Sequence, residues 1–124
     1  MNATTIDGGC VCGEVRYQVS ASPIHRTSCH CENCRRASGA PFVAWFTVAR
    51  CDFQVVEGAP AQYPYVREDG HHAVRSFCRR CGTQLTYEVD GRPDEIEVTT
   101  GSSDDPESLV PTQEVHADET LSWV

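Results

Sequence analysis

Lysine is absent from the 124 residues; all ten basic side chains are arginine. That excludes Schiff-base catalysis and a P-loop phosphate site, both of which need a lysine amine. Long apolar runs are missing too. The longest near-apolar stretch, Pro41 to Ala49, is far too short to span a bilayer and reads as a buried strand. Met1 to Gly9 has no basic start and no apolar stretch, so no secretory signal is expected and a cytoplasmic location is. Bases are outnumbered by acids, 10 against 18, for a net charge of −8, which argues against a nucleic-acid or anionic-membrane surface. The imbalance is local: eleven acids and only Arg92 lie from Glu88 onward. No repeat, linker or low-complexity segment divides the chain. With 40% hydrophobic residues and a mean hydropathy of −0.40, one globular domain over residues 1–124, its core about 8–123, is expected.

Cysteine is present in excess. Eight occur, as Cys10-x-Cys12, Cys29-x-Cys31-x-x-Cys34, a separate Cys51, and Cys78-x-x-Cys81. A disulfide framework needs an oxidising compartment. Cysteines at i and i+2 on a strand also lie about 6–7 Å apart at the backbone, at or past the comfortable limit for a disulfide. Metal relaxes that demand, because thiolates need only converge on an ion about 2.3 Å from each. Metal is the preferred reading.

Around the cysteines the chain reads as mainly β with sparse helix. Val15, Tyr17 and Val19 alternate with polar residues, as in a half-buried strand. Ile24–His30, Phe42–Val48, Phe53–Val56, Ala73–Phe77, Thr83–Val89 and Ile96–Thr99 are further strand candidates, the second buried on both faces. Asp69-Gly70 and Asp90-Gly91 mark turns. Helix is expected for a turn or two after Cys31, and again from Ser103 through Pro106 and Glu107.

Gly13 and Gly82 directly follow the second cysteine of a pair; a metal knuckle turns sharply there, and glycine tolerates positive φ. Cys10, Cys12, Cys78 and Cys81 thus form a four-thiolate set, a closed structural zinc site joining two distant segments. A redox role for Cys78-Arg79-Arg80-Cys81 is disfavoured, since no helical pattern follows. Cys29, Cys31 and Cys34 form a three-thiolate set, the arrangement of a catalytic zinc with a free position. Candidates to fill that position are Cys51, His30, His71, His72 and His116. His30 is expected to point away from the face its neighbours share. Cys51 is expected to be a small buried hydrophobe, and His71 and His72, in a glycine turn, to be surface residues. Oxidation of the Cys31-Glu32-Asn33-Cys34 pair stays open as an alternative. Deaminase chemistry is disfavoured, because no Pro-Cys-x-x-Cys occurs.

Gly9-Cys10-Val11-Cys12-Gly13, Cys29-His30-Cys31-Glu32-Asn33-Cys34-Arg35-Arg36, Arg75-Ser76-Phe77-Cys78-Arg79-Arg80-Cys81-Gly82, Asp104-Asp105-Pro106 and a late His116, in that order, resemble the glutathione-dependent formaldehyde-activating enzyme family, which includes centromere protein V. The resemblance runs from about Gly8 to Trp123. It implies a zinc-stapled β-tent fold, a structural zinc on Cys10, Cys12, Cys78 and Cys81, and a catalytic zinc on Cys29, Cys31 and Cys34. The implied activity is that of a carbon–sulfur lyase like S-(hydroxymethyl)glutathione synthase, with a small thiol such as glutathione and an aldehyde, formaldehyde, as partners. His116, or His30, is a candidate proton donor in the useful range. Arg35 is a candidate for the carboxylates of an anionic thiol, and Arg36 a weaker one. The alternative is a non-catalytic, zinc-stabilised protein-interaction module, with the acidic stretch from Glu88 as its face.

Overall fold

A computed structural model describes residues 5–124; the first four residues of the domain expected over 1–124 lie outside it. The described residues form ten strands and one α-helix: β1 (Ile6–Gly9), β2 (Arg16–Val19), β3 (His25–Cys29), α1 (Glu32–Ser38), β4 (Val43–Ala49), β5 (Phe53–Glu57), β6 (Ala61–Val66), β7 (His72–Phe77), β8 (Gln84–Val89), β9 (Glu95–Thr99) and β10 (Gln113–Val115). The expected mainly β class with sparse helix is what the chain adopts. A small sheet runs β1-β2-β5, and a large one runs β10-β3-β4-β9-β8-β7-β6. All pairings are antiparallel except β10 on β3.

Strand β4 explains how two packing layers arise from one sheet. Its alternate side chains leave on opposite faces. Phe46 and Val48 enter the main core with Tyr17, Val19, Leu85, Ile96 and Val98. Val43 and Trp45 enter a second cluster with Cys29 and Cys34. One face of the large sheet therefore meets the small sheet, and the other carries the three-cysteine segment. Every large apolar side chain of β4 is buried, on one face or the other, as its nearly unbroken hydrophobic sequence requires.

Three strands escape the sequence reading, each for a physical reason. β1 carries two glycines. β6 contains Pro64 and lies at the sheet edge, where a missing N–H is tolerated. β10 is three exposed residues held only by a parallel ladder to β3. The helix expected from Ser103 is instead a 3-10 turn over Pro106–Leu109, because the Ser103 hydroxyl accepts from the Asp105 N–H and holds an open turn. Cys51 corrects a further expectation. It is exposed in a 3-10 turn between β4 and β5, not buried.

The two sheets are also tied by a close approach. Gly8 pairs with Ser103 across an isolated bridge, and the Tyr17 hydroxyl bonds the Ser102 hydroxyl at 2.7 Å. A Cβ on Gly8 would lie 2.3 Å from the Tyr17 oxygen and 2.6 Å from the Ser102 carbonyl. Both neighbours are fixed, Tyr17 being 1% exposed. Gly8→Ala is therefore expected to lower stability by about 1–3 kcal/mol, the range for overpacking a filled core. Chemical denaturation checks this; an unchanged midpoint would show that the contact relaxes freely.

Candidate metal centres

The two glycine knuckles are built alike. The Gly13 N–H donates to the Cys10 carbonyl at 3.1 Å, and the Gly82 N–H to the Cys78 carbonyl at 2.8 Å. Both glycines sit at φ +81°, where a side chain would be strained. Each loop then returns to its strand, through Cys10 N–H to the Val15 carbonyl and Cys78 N–H to the Thr83 carbonyl. A cross-link from the Val11 N–H to the Thr83 hydroxyl, 3.2 Å, sets one knuckle against the other.

This brings together Cys10, Cys12, Cys78 and Cys81, whose sulfurs all lie within 4.8 Å of one another. Cys10 to Cys12 is 3.6 Å and Cys12 to Cys78 is 3.8 Å. Sulfurs about 2.3 Å from a tetrahedral ion stand about 3.8 Å apart. All eight cysteines are free, so these are contact distances between unbonded sulfurs. The surroundings suit thiolates. Backbone N–H groups of Val15, Arg80 and Cys81 donate to Cys10 and Cys78 sulfurs at 3.2–3.5 Å. The Thr83 hydroxyl and N–H bring the Cys81 thiol down to about 5. The donor set fits zinc.

The second set, Cys29, Cys31 and Cys34, is local. Cys29 ends β3, Cys31 caps α1 by accepting the Cys34 N–H, and Cys34 is on the helix. Gly39, at φ +72°, terminates α1 after barely two turns. Cys29 lies 3.5 Å from Cys31 and 3.4 Å from Cys34. Hydrogen bonding from Cys29 and Cys34, helped by the Cys34 N–H and the nearby His116, drives the Cys31 thiol down to about 2. The same sharing pushes Cys29 far up. No fourth ligand atom joins this set among the described residues. The distances fit zinc here as well, with three protein donors.

The other singled-out residues divide. His30 turns away from the sulfurs: it is 3% exposed, its Nε2 meets Glu114 and its ring lies against Phe42. His71 and His72 are exposed, His71 pairing with Asp90. His116 is exposed, at φ 54°, with Nδ1 3.6 Å from Glu119. Glu119 also accepts the Glu32 N–H at the start of α1, so the segment from β10 to Glu119 is fastened alongside the cluster. Arg35 donates to the His30 carbonyl at 3.4 Å, whereas Arg36 pairs with Glu32 on the surface. Cys51 touches Asp52 only and joins neither set.

Sequence reasoning assigned no role to Arg75. Its guanidinium reaches from β7 to Asn33 and to the Cys34 sulfur, at 3.7 Å. The signal was one arginine among the residues of β7, two positions before the strand end.

A cavity of about 320 Å³ lies on the far side of the large sheet, walled by Val15, Tyr17, Phe53, Leu85, Thr86 and Ile96. None of the seven clustered cysteines lines it. No helix among the described residues is long and apolar enough to cross a membrane.

A family model described as glutathione-dependent formaldehyde-activating enzyme matches residues 5–119. An uncharacterised lyase of Schizosaccharomyces pombe is 27% identical over 81 residues, which are 65% of this chain and 56% of that protein. The chain thus matches little more than half the length of that curated relative. A crystal structure of a Rhodobacter sphaeroides protein is 26% identical, with a TM-score of 0.68, covering 88% of this chain and 99% of the other.

The two clusters differ in what they hold together. Loss of a ligand from the four-sulfur set would release segments 66 residues apart, and the binding energy of a metal held there would add to folding. Cys78→Ser is expected to give insoluble or partly unfolded protein. Cys31→Ser should stay folded, with a far-ultraviolet circular dichroism spectrum like wild type. Equal collapse of both would contradict the division.

Proposed function

We propose that this chain, which belongs to the glutathione-dependent formaldehyde-activating enzyme family, is a single-domain zinc-dependent lyase that makes or breaks the carbon–sulfur bond of a thiol–aldehyde adduct. Cys10, Cys12, Cys78 and Cys81 would hold the structural ion, and Cys29, Cys31 and Cys34 the functional one. The observation that carries the reading is the contrast between the two sets. Four sulfurs close a tetrahedron, whereas three leave a position free among the described residues. The lyase name of the Schizosaccharomyces pombe relative supports the reaction class.

When bound at three thiolates, zinc supplies a Lewis-acidic position that favours a thiolate over a thiol near neutral pH. In the forward direction a thiol sulfur attacks the aldehyde carbon. The carbon–sulfur bond forms, the carbonyl π pair moves to oxygen, that oxygen takes a proton, and the thiol proton is released. His116 is the proton donor, because it stands exposed in the segment fastened beside Cys31, near enough to bias that sulfur electrostatically. His30 is unsuited, with its ring buried and its Nε2 committed to Glu114. Arg35, half-buried at the start of α1, orients a carboxylate of an anionic thiol such as glutathione.

One observation favours a second reading, a zinc-stabilised interaction module. The cavity described above lies away from all three sulfurs. The exchange rate separates the two. Glutathione and formaldehyde also combine without catalyst, so the quantity to measure is the rate of interconversion with S-(hydroxymethyl)glutathione at equilibrium, by NMR magnetisation transfer. Zinc-loaded protein is expected to raise it at least tenfold. Cys31→Ser and free zinc at the same concentration should leave it at the background value. A wild-type rate at background rejects these substrates and favours the module.

A further inference from the structure

Arg75 is 6% exposed. A buried guanidinium ordinarily requires an anion, because taking an unpaired charge out of water costs several kcal/mol. Among the described residues no carboxylate forms an ion pair with it; the paired arginines are Arg16, Arg36, Arg50, Arg67 and Arg92. Its polar partners are the Asn33 side-chain oxygen, which takes two of its N–H bonds, and the Cys34 sulfur at 3.7 Å. The Tyr87 ring lies beneath it at 5.0 Å and is itself packed on Trp45. Tyr65 donates to the same Asn33 oxygen. An amide oxygen and a ring face supply partial charge only. Sulfur is the one partner able to carry a full negative charge.

Formal charge points the same way. Three thiolates around a divalent ion leave one net negative charge, and one guanidinium cancels it. Arg75 comes from β7, on the far side of Tyr87 from β4, so it is long-range architecture that delivers this cation to a cluster assembled from β3 and α1. Asn33, between Cys31 and Cys34 in sequence, is the side chain that fixes where the guanidinium stops.

We infer that Arg75 is the counter-charge and positioning residue of the three-sulfur cluster, its guanidinium offsetting the net negative charge of that cluster so that a divalent ion is retained there, with Asn33 setting its place. The inference rests on the reading of that cluster as the functional metal site. It requires no contact between Arg75 and substrate.

Zinc retention tests it without recourse to activity. Two variants remove the counter-charge in different ways. Arg75→Met deletes it and keeps an unbranched, apolar stem. Asn33→Asp, at an exposed helix position, leaves the guanidinium in place but gives it a carboxylate. Chelator competition should show one of the two zinc equivalents bound about 10–100-fold more weakly in both, as when partners of metal ligands are lost. The other equivalent, in the four-sulfur set, should be unchanged, and Arg75→Lys should recover part of the loss. Arg75→Met that fails to fold leaves the decision to Asn33→Asp, whose polar surface change the helix tolerates. Wild-type affinity for both equivalents in Asn33→Asp, or in a folded Arg75→Met, overturns the inference. Wild-type protein that binds only one zinc overturns it together with the proposed function. Two zinc ions without thiol–aldehyde exchange remove the activity and leave the role of Arg75 standing.

Discussion

Seven sulfur atoms in two groups, the sulfurs of each group within 4.8 Å of one another, are the constraint on which the rest of the molecule depends. Sulfurs 3.4–3.8 Å apart must share protons or share a cation, because adjacent bare thiolates repel. The backbone prepares for the cation. N–H groups of Val15, Cys34, Arg80 and Cys81 point at sulfur, and such donors favour the charged form. The knuckle glycines, at φ +81°, permit the turns that carry the Val15, Arg80 and Cys81 N–H groups. The small sheet reaches the four-sulfur group through the loop after β1, and the large sheet reaches it through the β7–β8 turn. A metal held there therefore fixes the relation between the two sheets.

The two groups offer the same donor chemistry in different settings. One is formed by two turns remote in sequence and offers four donors. The other is formed by a strand end and a two-turn helix, offers three donors, and sits on the opposite face of the large sheet from the main core. Alternation along β4 makes this separation possible, since Phe46 and Val48 serve one layer while Val43 and Trp45 serve the other. The three-sulfur cluster thus packs in a layer separate from the one between the sheets.

Much of this was legible in the sequence because it rests on local spacing. Cysteine pairs followed by glycine specify knuckles, and alternation in Val15, Tyr17 and Val19 specifies a strand whatever its partner. β4 could be read from its nearly unbroken apolar run, and α1 from the short segment after Cys31. What escaped depends on partners remote in sequence. β10 is a strand only because β3 has a free edge, and β6 only because β7 pairs with a chain that contains Pro64. Cys51 lies where hydrophobicity alone suggests burial, yet the 3-10 turn between β4 and β5 carries it outward. Arg75 looked like one more arginine. Its importance comes from Asn33 and Cys34, some forty residues away, a relation that no spacing rule expresses.

X-ray absorption at the zinc edge, on protein carrying two zinc equivalents, tests the account most directly. One closed four-sulfur ion and one three-sulfur ion average to about 3.5 sulfurs per zinc at about 2.3 Å, with a shell of oxygen or nitrogen near 2.0 Å contributing half a ligand. Removing Cys31 should return the spectrum of the remaining ion to four sulfurs and abolish the light-atom shell. Four sulfurs around both ions in the wild-type protein would contradict the open position, and with it the proposed chemistry.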